Sequence, residues 1–225
     1  MIQQLEQHPE GIGKSVLRRE DRKFLAGGGQ FVADLVFEGE LHCAFVRSPH
    51  AHARLRSIDM SPAVSAAGVI AVYTGQDMEA DKVGTMIPLW QIPGVNGTKM
   101  NEPPRWGIAR GAVRHVGEIV AMVVAITRNQ ALDAAELVAV DWEPLPAVVD
   151  VRDAVKPGAT QIHPEAPGNL AVRFQRGNEA AVNQAFAKAK QVVAIDLVNH
   201  RIACAALEPR AVIAMASANR GMDGH

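Results

Sequence analysis

An α+β fold is predicted by three observations. Extended, alternating stretches recur at 41–48, 53–58 and 69–74; the run GEIVAMVVAI at 117–126 is β-branched and apolar on both faces; and a well-marked helix separates that run from a further extended stretch. The order strand, strand, helix, strand, then strand, helix, strand is α+β in character. A chain of 225 residues can bury roughly 70% of its unfolded surface, which leaves room for one large domain or two small ones.

The elements follow in chain order. Residues 1–10 have no apolar period and read as a flexible arm. SVLRRED at 15–21 is dense in charge and reads as a short helix or turn; the glycines Gly27 to Gly29 break it, and QFVADL follows as a strand. In LHCAFVRS, Leu41, Cys43, Phe45 and Arg47 alternate with His42, Ala44, Val46 and Ser48 across a strand that Pro49 ends. HARLRSID is a second strand, with Ala53, Leu55 and Ser57 on one face and Arg54, Arg56 and Ile58 on the other. Ser61 and Pro62 suit the N-cap and first turn of a short helix over 62–67, which Gly68 stops before the strand VIAVYT.

Residues 75–112, with Pro88, Pro93, Pro103 and Pro104, read as a long excursion loop. The run 117–126 should be a buried central strand. Thr127 then caps a helix in which Ala131, Leu132, Ala135, Leu137 and Val138 recur near helical spacing, and VDWEPLPAVVD returns to extended chain because Pro144 and Pro146 forbid helix. KPGATQIHPEAPGNL, with three prolines and two glycines, reads as a linker. Asn178 caps EAAVNQAFAKAK, whose Ala181, Val182, Ala185 and Phe186 should face inward, and two extended stretches joined around 206–209 follow. One helix and a hairpin cannot close a core, so this part reads as the opening of a second domain.

Composition excludes several function classes. Hydrophobic residues make up 48% and charged residues 21%, too apolar for disorder, while the longest apolar runs are about ten residues, far short of the roughly 20 that span a bilayer. A net charge of -1 gives no counterion-release drive toward nucleic acid, and 4% aromatics leave little for bases to stack on. Cys43 and Cys204 lie far apart without CxxC spacing, as expected of a reduced, cytoplasmic chain.

The candidate chemistry is sparse. His42, Cys43, His50 and His52 form the tightest polar cluster, with donor types that suit zinc, but spacing supplies no further acidic or thiolate partner, and surface histidines at a strand end account for it. The glycines at 27–29 lack the third glycine of GxGxxG, since Val32 stands there, and they precede a strand; a turn needing positive φ is the better reading. His115 with Glu118, and Asp141 with Glu143, have the spacing of acid–base or carboxylate pairs without a nucleophile, anion hole or metal partner. GxSxG is absent from the sequence. Arg18 to Lys23 alternates in sign as a solvated helix face does, and Glu208-Pro209-Arg210 is a proline-fixed kink able to place an ion pair. No residue is assigned to catalysis, cofactor binding or metal ligation from these patterns.

The order of segments resembles a known family. RRED-x-x-FL-x-G, FVRSPHAHARLRSID, and the ordered pair VGEIVAMVVA and EPR, within a likeness running from Gly11 to Ala214, are similar to the molybdopterin-binding large subunits of the xanthine dehydrogenase, aldehyde oxidase and carbon monoxide dehydrogenase family. The resemblance implies an α/β-hammerhead domain over 11–157, a linker over 158–169, the start of a molybdopterin-binding domain over 170–214 and an unpatterned tail over 215–225. It implies a parent reaction that hydroxylates aldehydes, purines or related substrates with water-derived oxygen, or oxidises carbon monoxide. The cofactor would be a molybdopterin (cytosine dinucleotide) molybdenum centre, with Fe–S clusters and FAD on partner domains or subunits. Arg47, Ser48, Glu118 and Glu208-Pro209-Arg210 match family landmarks of packing and interface. The family's glutamine-bearing strand, GGGFG-type turn and base glutamate have no counterpart here, and MASANRGMDGH replaces the continuation the family has. The expectation is a truncated fragment, inactive alone, that binds no cofactor by itself and meets Fe–S and FAD subunits if incorporated. The alternatives are a stand-alone hammerhead interaction or assembly module, part of a split enzyme, and a small metal-binding protein using His42 to His52.

Overall fold

The computed structural model describes residues 18–200, 202, 205, 206 and 208–215. Two compact units are distinguished: one spans residues 39–195, and the other combines the described residues before 39 with those after 195.

In the 39–195 unit, two three-stranded antiparallel sheets form, as expected of an α+β chain. β1 (His42–Arg47), β5 (Ile119–Ala125) and β3 (Val69–Thr74) lie in the order β1-β5-β3, while β4 (Ala112–Val113), β2 (Ala53–Asp59) and β6 (Ala139–Pro144) lie in the order β4-β2-β6. β5 is the central strand that its two-sided apolarity predicts: Val120, Ala121, Val123 and Ala125 are all fully buried. β1 buries Ala44 and turns Cys43 and Phe45 outward, with Ala44 opposite Val123. α4 (Arg128–Glu136) lays Ala131 and Ala134 into the core, and its Thr127 hydroxyl accepts the Gln130 N–H at 3.3 Å while Gln130 Oε1 accepts the Thr127 N–H at 3.2 Å, the reciprocal cap that T-x-x-Q signals.

β2 departs from strict alternation. Its register to β6 runs Leu55 to Trp142 and then Ser57 to Asp141, so Arg56 is an extra, bulged residue. The bulge moves Ile58 from the arginine face, where alternation predicts it, to the core with Ala53 and Leu55. Among the helices, α2 (Ser61–Val64) is a single turn, shorter than expected, and its Ser61 N–H is held by Asp59 Oδ1 at 2.9 Å.

The excursion after β3 opens with a helix that the glycine and the prolines concealed. In α3 (Gly75–Ala80), Asp77 Oδ2 accepts both the Thr74 N–H at 2.6 Å and the Thr74 hydroxyl at 2.8 Å. Gly75 starts it because a Cβ there would stand 2.3 Å from the Ala109 carbonyl oxygen. The rest of the excursion runs without long elements to β4. After β6, α5 (Val151–Ala154) is capped by Asp150, and the stretch expected to be a linker is dense in hydrogen bonds. Asn169, in a left-handed conformation with φ 55°, donates to the Ala154 and Thr160 carbonyls and accepts the Ile162 N–H at 2.9 Å. α6 (Glu179–Lys188) forms where Asn178 predicts, with Asn178 Oδ1 accepting the Ala181 N–H at 3.0 Å. The apolar stripe expected to face inward does not: α6 has no buried residue, and Val182 and Phe186 are open to solvent.

In the other unit, α1 (Asp21–Leu25) ends on Gly27 at φ +73°, and the Gly28 N–H reaches back to the Lys23 carbonyl, so the glycine run is a helix stop with positive φ. QFVADL is not a strand. Val32–Asp34 is a 3-10 turn, because Asp34 Oδ2 accepts the Phe31 N–H at 2.9 Å and the local side chain outcompetes extended pairing. The described parts of 191–200 and 208–215 carry no strand pairing, so the expected hairpin is not formed by them. Ser15 to Leu17, Cys204 and the 216–225 tail lie outside the described residues.

Candidate functional site

The motif residues converge where β1 hands over to β2 and where the turn after β4 enters β5. Arg47 Nη1 donates to the Gly117 carbonyl at 2.8 Å, and the Gly117 N–H donates to the Ser48 carbonyl at 2.8 Å. The Ser48 N–H in turn donates to the Glu118 carbonyl at 2.9 Å. Ser48 is 2% exposed, and its hydroxyl is committed twice, accepting the His50 N–H and donating to the His50 carbonyl. A hydroxyl so engaged closes a turn and is not a free nucleophile.

Glu118 has a comparable task. Its Oε2 accepts the Arg114 N–H at 2.5 Å and lies 3.5 Å from His115 Nδ1, whose side chain is 69% exposed. The carboxylate therefore pins the 114–118 turn, and the His115–Glu118 pairing that their spacing allows is a loose contact at its rim. Arg114 extends the junction by donating from Nε to the Ile162 carbonyl at 3.2 Å.

The four-residue cluster that suited zinc is dispersed. His42 Nε2 lies 3.5 Å from Glu40 Oε1 at the start of β1. Cys43 points outward, and burial pushes its thiol up from the ordinary value, the wrong direction for a thiolate ligand. His50 and His52 lie in the connection between β1 and β2, His52 on a bend, and not on a strand: His50 packs on Trp142 with ring centroids 5.3 Å apart, and His52 Nδ1 is 2.7 Å from the Pro146 carbonyl oxygen. Among the described residues, no group of three or more His, Cys, Asp or Glu side chains could hold a metal ion.

Asp141 and Glu143 are not a catalytic carboxylate pair either. Glu143 Oε2 takes Arg54 Nη1 at 2.9 Å and Arg56 Nε at 3.4 Å across the β2–β6 ladder, while Asp141 stands opposite Ser57. Arg18 to Lys23 lies on the surface, as its alternating charge predicts. Glu208 Oε1 accepts the Val32 N–H at 3.0 Å, tying the proline kink to the 3-10 turn, and Arg210 is exposed.

Sequence reasoning missed two groups. Arg110 stacks over Trp106, its Cζ 3.6 Å from the ring centroid, and donates from Nη2 to the Val83 carbonyl. Asn169 organises the 154–169 knot; its only signal was an asparagine after Pro-Gly, a composition that also marks open loops. Two cavities flank these groups. One of about 230 Å³ lies between Val148–Val151 and Ile162–Asn169, and one of about 270 Å³ lies beside Arg56, Ser57, Gln76, Glu79 and Arg110. Among the described residues, no helix is long and apolar enough to cross a membrane.

This arrangement of turns and strands matches known proteins. Residues 26–146 match the family model described as aldehyde oxidase and xanthine dehydrogenase, a/b hammerhead domain. The chain is 37% identical over 203 residues to the nicotine 6-hydroxylase large subunit of Paenarthrobacter nicotinovorans, covering 90% of this chain and 24% of that one. It is 34% identical over 211 residues to the carbon monoxide dehydrogenase large chain of Afipia carboxidovorans, covering 88% and 25%. The crystal structure of quinoline 2-oxidoreductase from Pseudomonas putida 86 superposes with a TM-score of 0.65 at 40% identity, over 80% of this chain and 22% of that one. The chain thus spans about a quarter of the length of the relatives it matches. With the hammerhead match covering more than half of its residues, the chain belongs to the aldehyde oxidase and xanthine dehydrogenase family of molybdenum hydroxylase large subunits.

Proposed function

We propose that these 225 residues are a structural part of a molybdenum hydroxylase large subunit, supplying its hammerhead and the first turns of the neighbouring cofactor domain. The boundaries proposed are 11–157 for the hammerhead, 158–169 for the connection and 170–214 for the start of the cofactor domain. The observation that carries this reading is the junction of Arg47, Ser48, Gly117 and Glu118, where each family-motif residue is engaged in closing a turn. The described donors do not fit a metal centre, because the three histidines are directed to different neighbours and Cys43 points outward.

On this reading the parent enzyme hydroxylates a small substrate at a molybdenum–pterin cofactor and passes electrons to Fe–S and flavin partners in the cytoplasm. An N-heterocycle is favoured as substrate, since the nicotine 6-hydroxylase and quinoline 2-oxidoreductase relatives are 37% and 40% identical. The 225 residues alone bind no molybdenum cofactor and are inactive. The test is to produce the chain in cells making the cofactor, then measure bound molybdenum and dye reduction with quinoline, xanthine, an aldehyde and carbon monoxide. Neither metal nor turnover is expected; stoichiometric molybdenum or turnover overturns the reading. Supplying the cofactor-bearing remainder of the nicotine 6-hydroxylase large subunit in trans separates a split enzyme, which regains activity, from a fragment that does not.

A further inference from the structure

The sheet β1-β5-β3 is apolar on both faces, and the described residues bury only one of them. On the inner face Ala44, Val123 and Val72 stand in register, in clusters that pack on Ala131 and Ala134 of α4. On the outer face the register sets two rows across all three strands: Cys43, Val124 and Ala71 in one, and Phe45, Met122 and Tyr73 in the next. Cys43 is exposed, Phe45 is 45% exposed, and the other four are only partly buried.

An antiparallel sheet that turns one face to water sets polar residues on that face, whereas these two rows hold no charge. IVAMVVA of β5 is instead the sequence of a strand buried on both sides. Depletion of charge marks the dry centre of a lasting contact, not its polar rim. A body large enough to cover the face is present in the relatives. This chain spans 24% of the nicotine 6-hydroxylase large subunit and 25% of the carbon monoxide dehydrogenase large chain, so about three quarters of each lies beyond the matched part.

We propose that the outer face of β1-β5-β3 seats the cofactor-bearing remainder of a large subunit, whether that remainder is joined to this chain or made apart from it. This rests on the large-subunit reading. An Fe–S or flavin subunit and a second copy of this chain are the competing occupants.

Cys43 lies within the face and reports its cover. Its alkylation by N-ethylmaleimide, read by mass spectrometry of the peptide that carries it, is followed in the isolated chain and in a chimaera. In the chimaera these 225 residues replace the matched segment of the nicotine 6-hydroxylase large subunit, produced without Fe–S or flavin subunits. Cys43 should be readily modified in the isolated chain and about tenfold or more slower in the chimaera, because a covered thiol is reached only through local opening. Equal rates in a folded chimaera overturn the proposal and leave the large-subunit reading standing. So does protection that arises only when Fe–S or flavin subunits are added, or that is already present in the isolated chain as monomer or dimer. Should the chimaera fail to fold, capture of the remainder by the isolated chain decides. F45D should bind it about tenfold or more weakly than the native chain, since the contact would bury an unpaired carboxylate. Equal capture by F45D overturns the proposal alone, and no capture by the native chain overturns it together with the reading on which it rests.

Discussion

At the scale of single residues, the molecule spends its polar groups on turns. Asp77, Asp59 and Asp150 each accept a backbone N–H near a helix start, and each carboxyl is held below the usual carboxylate range, Asp77 and Asp59 foremost by those backbone bonds. Asp150 is lowered to about 2 by Arg152, first through the side-chain hydrogen bond. Because the shift is downward, its contribution to the α5 cap is present above about 3.8, its unfolded value, and disappears as pH falls toward 2. NMR titration of the Asp150 carboxyl carbon should show that midpoint, and R152A should move it back toward 3.8. Glu118 is the residue where a substitution should cost most at the motif junction. E118A leaves the Arg114 N–H without its charged acceptor, and a loss of about 1–3 kcal/mol is expected in urea unfolding. Such roles were only partly legible in the sequence: the resemblance marked Glu118 as a landmark of packing and interface, but spacing places a carboxylate without saying which backbone N–H it will meet.

At the scale of elements, strong local signals and strong burial coincide. The Thr127 cap of α4 and the two-sided apolarity of β5 were both readable, since each uses a pattern with one physical meaning. T127A should therefore weaken α4 by about 1 kcal/mol, visible as a lowered midpoint in thermal unfolding. V123A removes two methyl groups from a fully buried site and should cost about 2 kcal/mol or more. The misread elements were those in which a side chain competes with the pattern. Asp34 turns QFVADL into a 3-10 turn, Asp77 starts α3 inside an apparent loop, and the bulge at Arg56 transfers Ile58 to the core. A bulge inverts the faces of every residue after it, and alternation alone cannot register one added residue.

At the scale of the whole molecule, burial is uneven. β5, α4 and their neighbours supply the core, while α6 and the residues to 200 have no buried side chain. Limited proteolysis should cut first within 174–200 and leave 39–171 protected at neutral pH; equal resistance of both stretches would contradict this distribution. Composition, periodicity and capping residues by themselves determined the α+β class, the central strand and the best helices; the family was legible only as a resemblance, in the order of RRED, FVRSPHAHARLRSID, VGEIVAMVVA and EPR. Those are properties of local pattern and of motif order, both of which are written along the chain. Only the tertiary structure decided what the motif residues do: that Ser48 and Glu118 close turns, that the three histidines of the zinc-like cluster turn to separate neighbours while Cys43 points outward, and that Asn169 and Arg114 gather a proline-rich stretch into a bonded wall. Arg114 with Ile162 and His52 with Pro146 join groups tens of residues apart, while Ser48 with His50 and Glu118 with Arg114 are neighbours whose pairing depends on how the chain turns between them; in both cases folding sets which polar groups meet, and no local pattern in the chain records it.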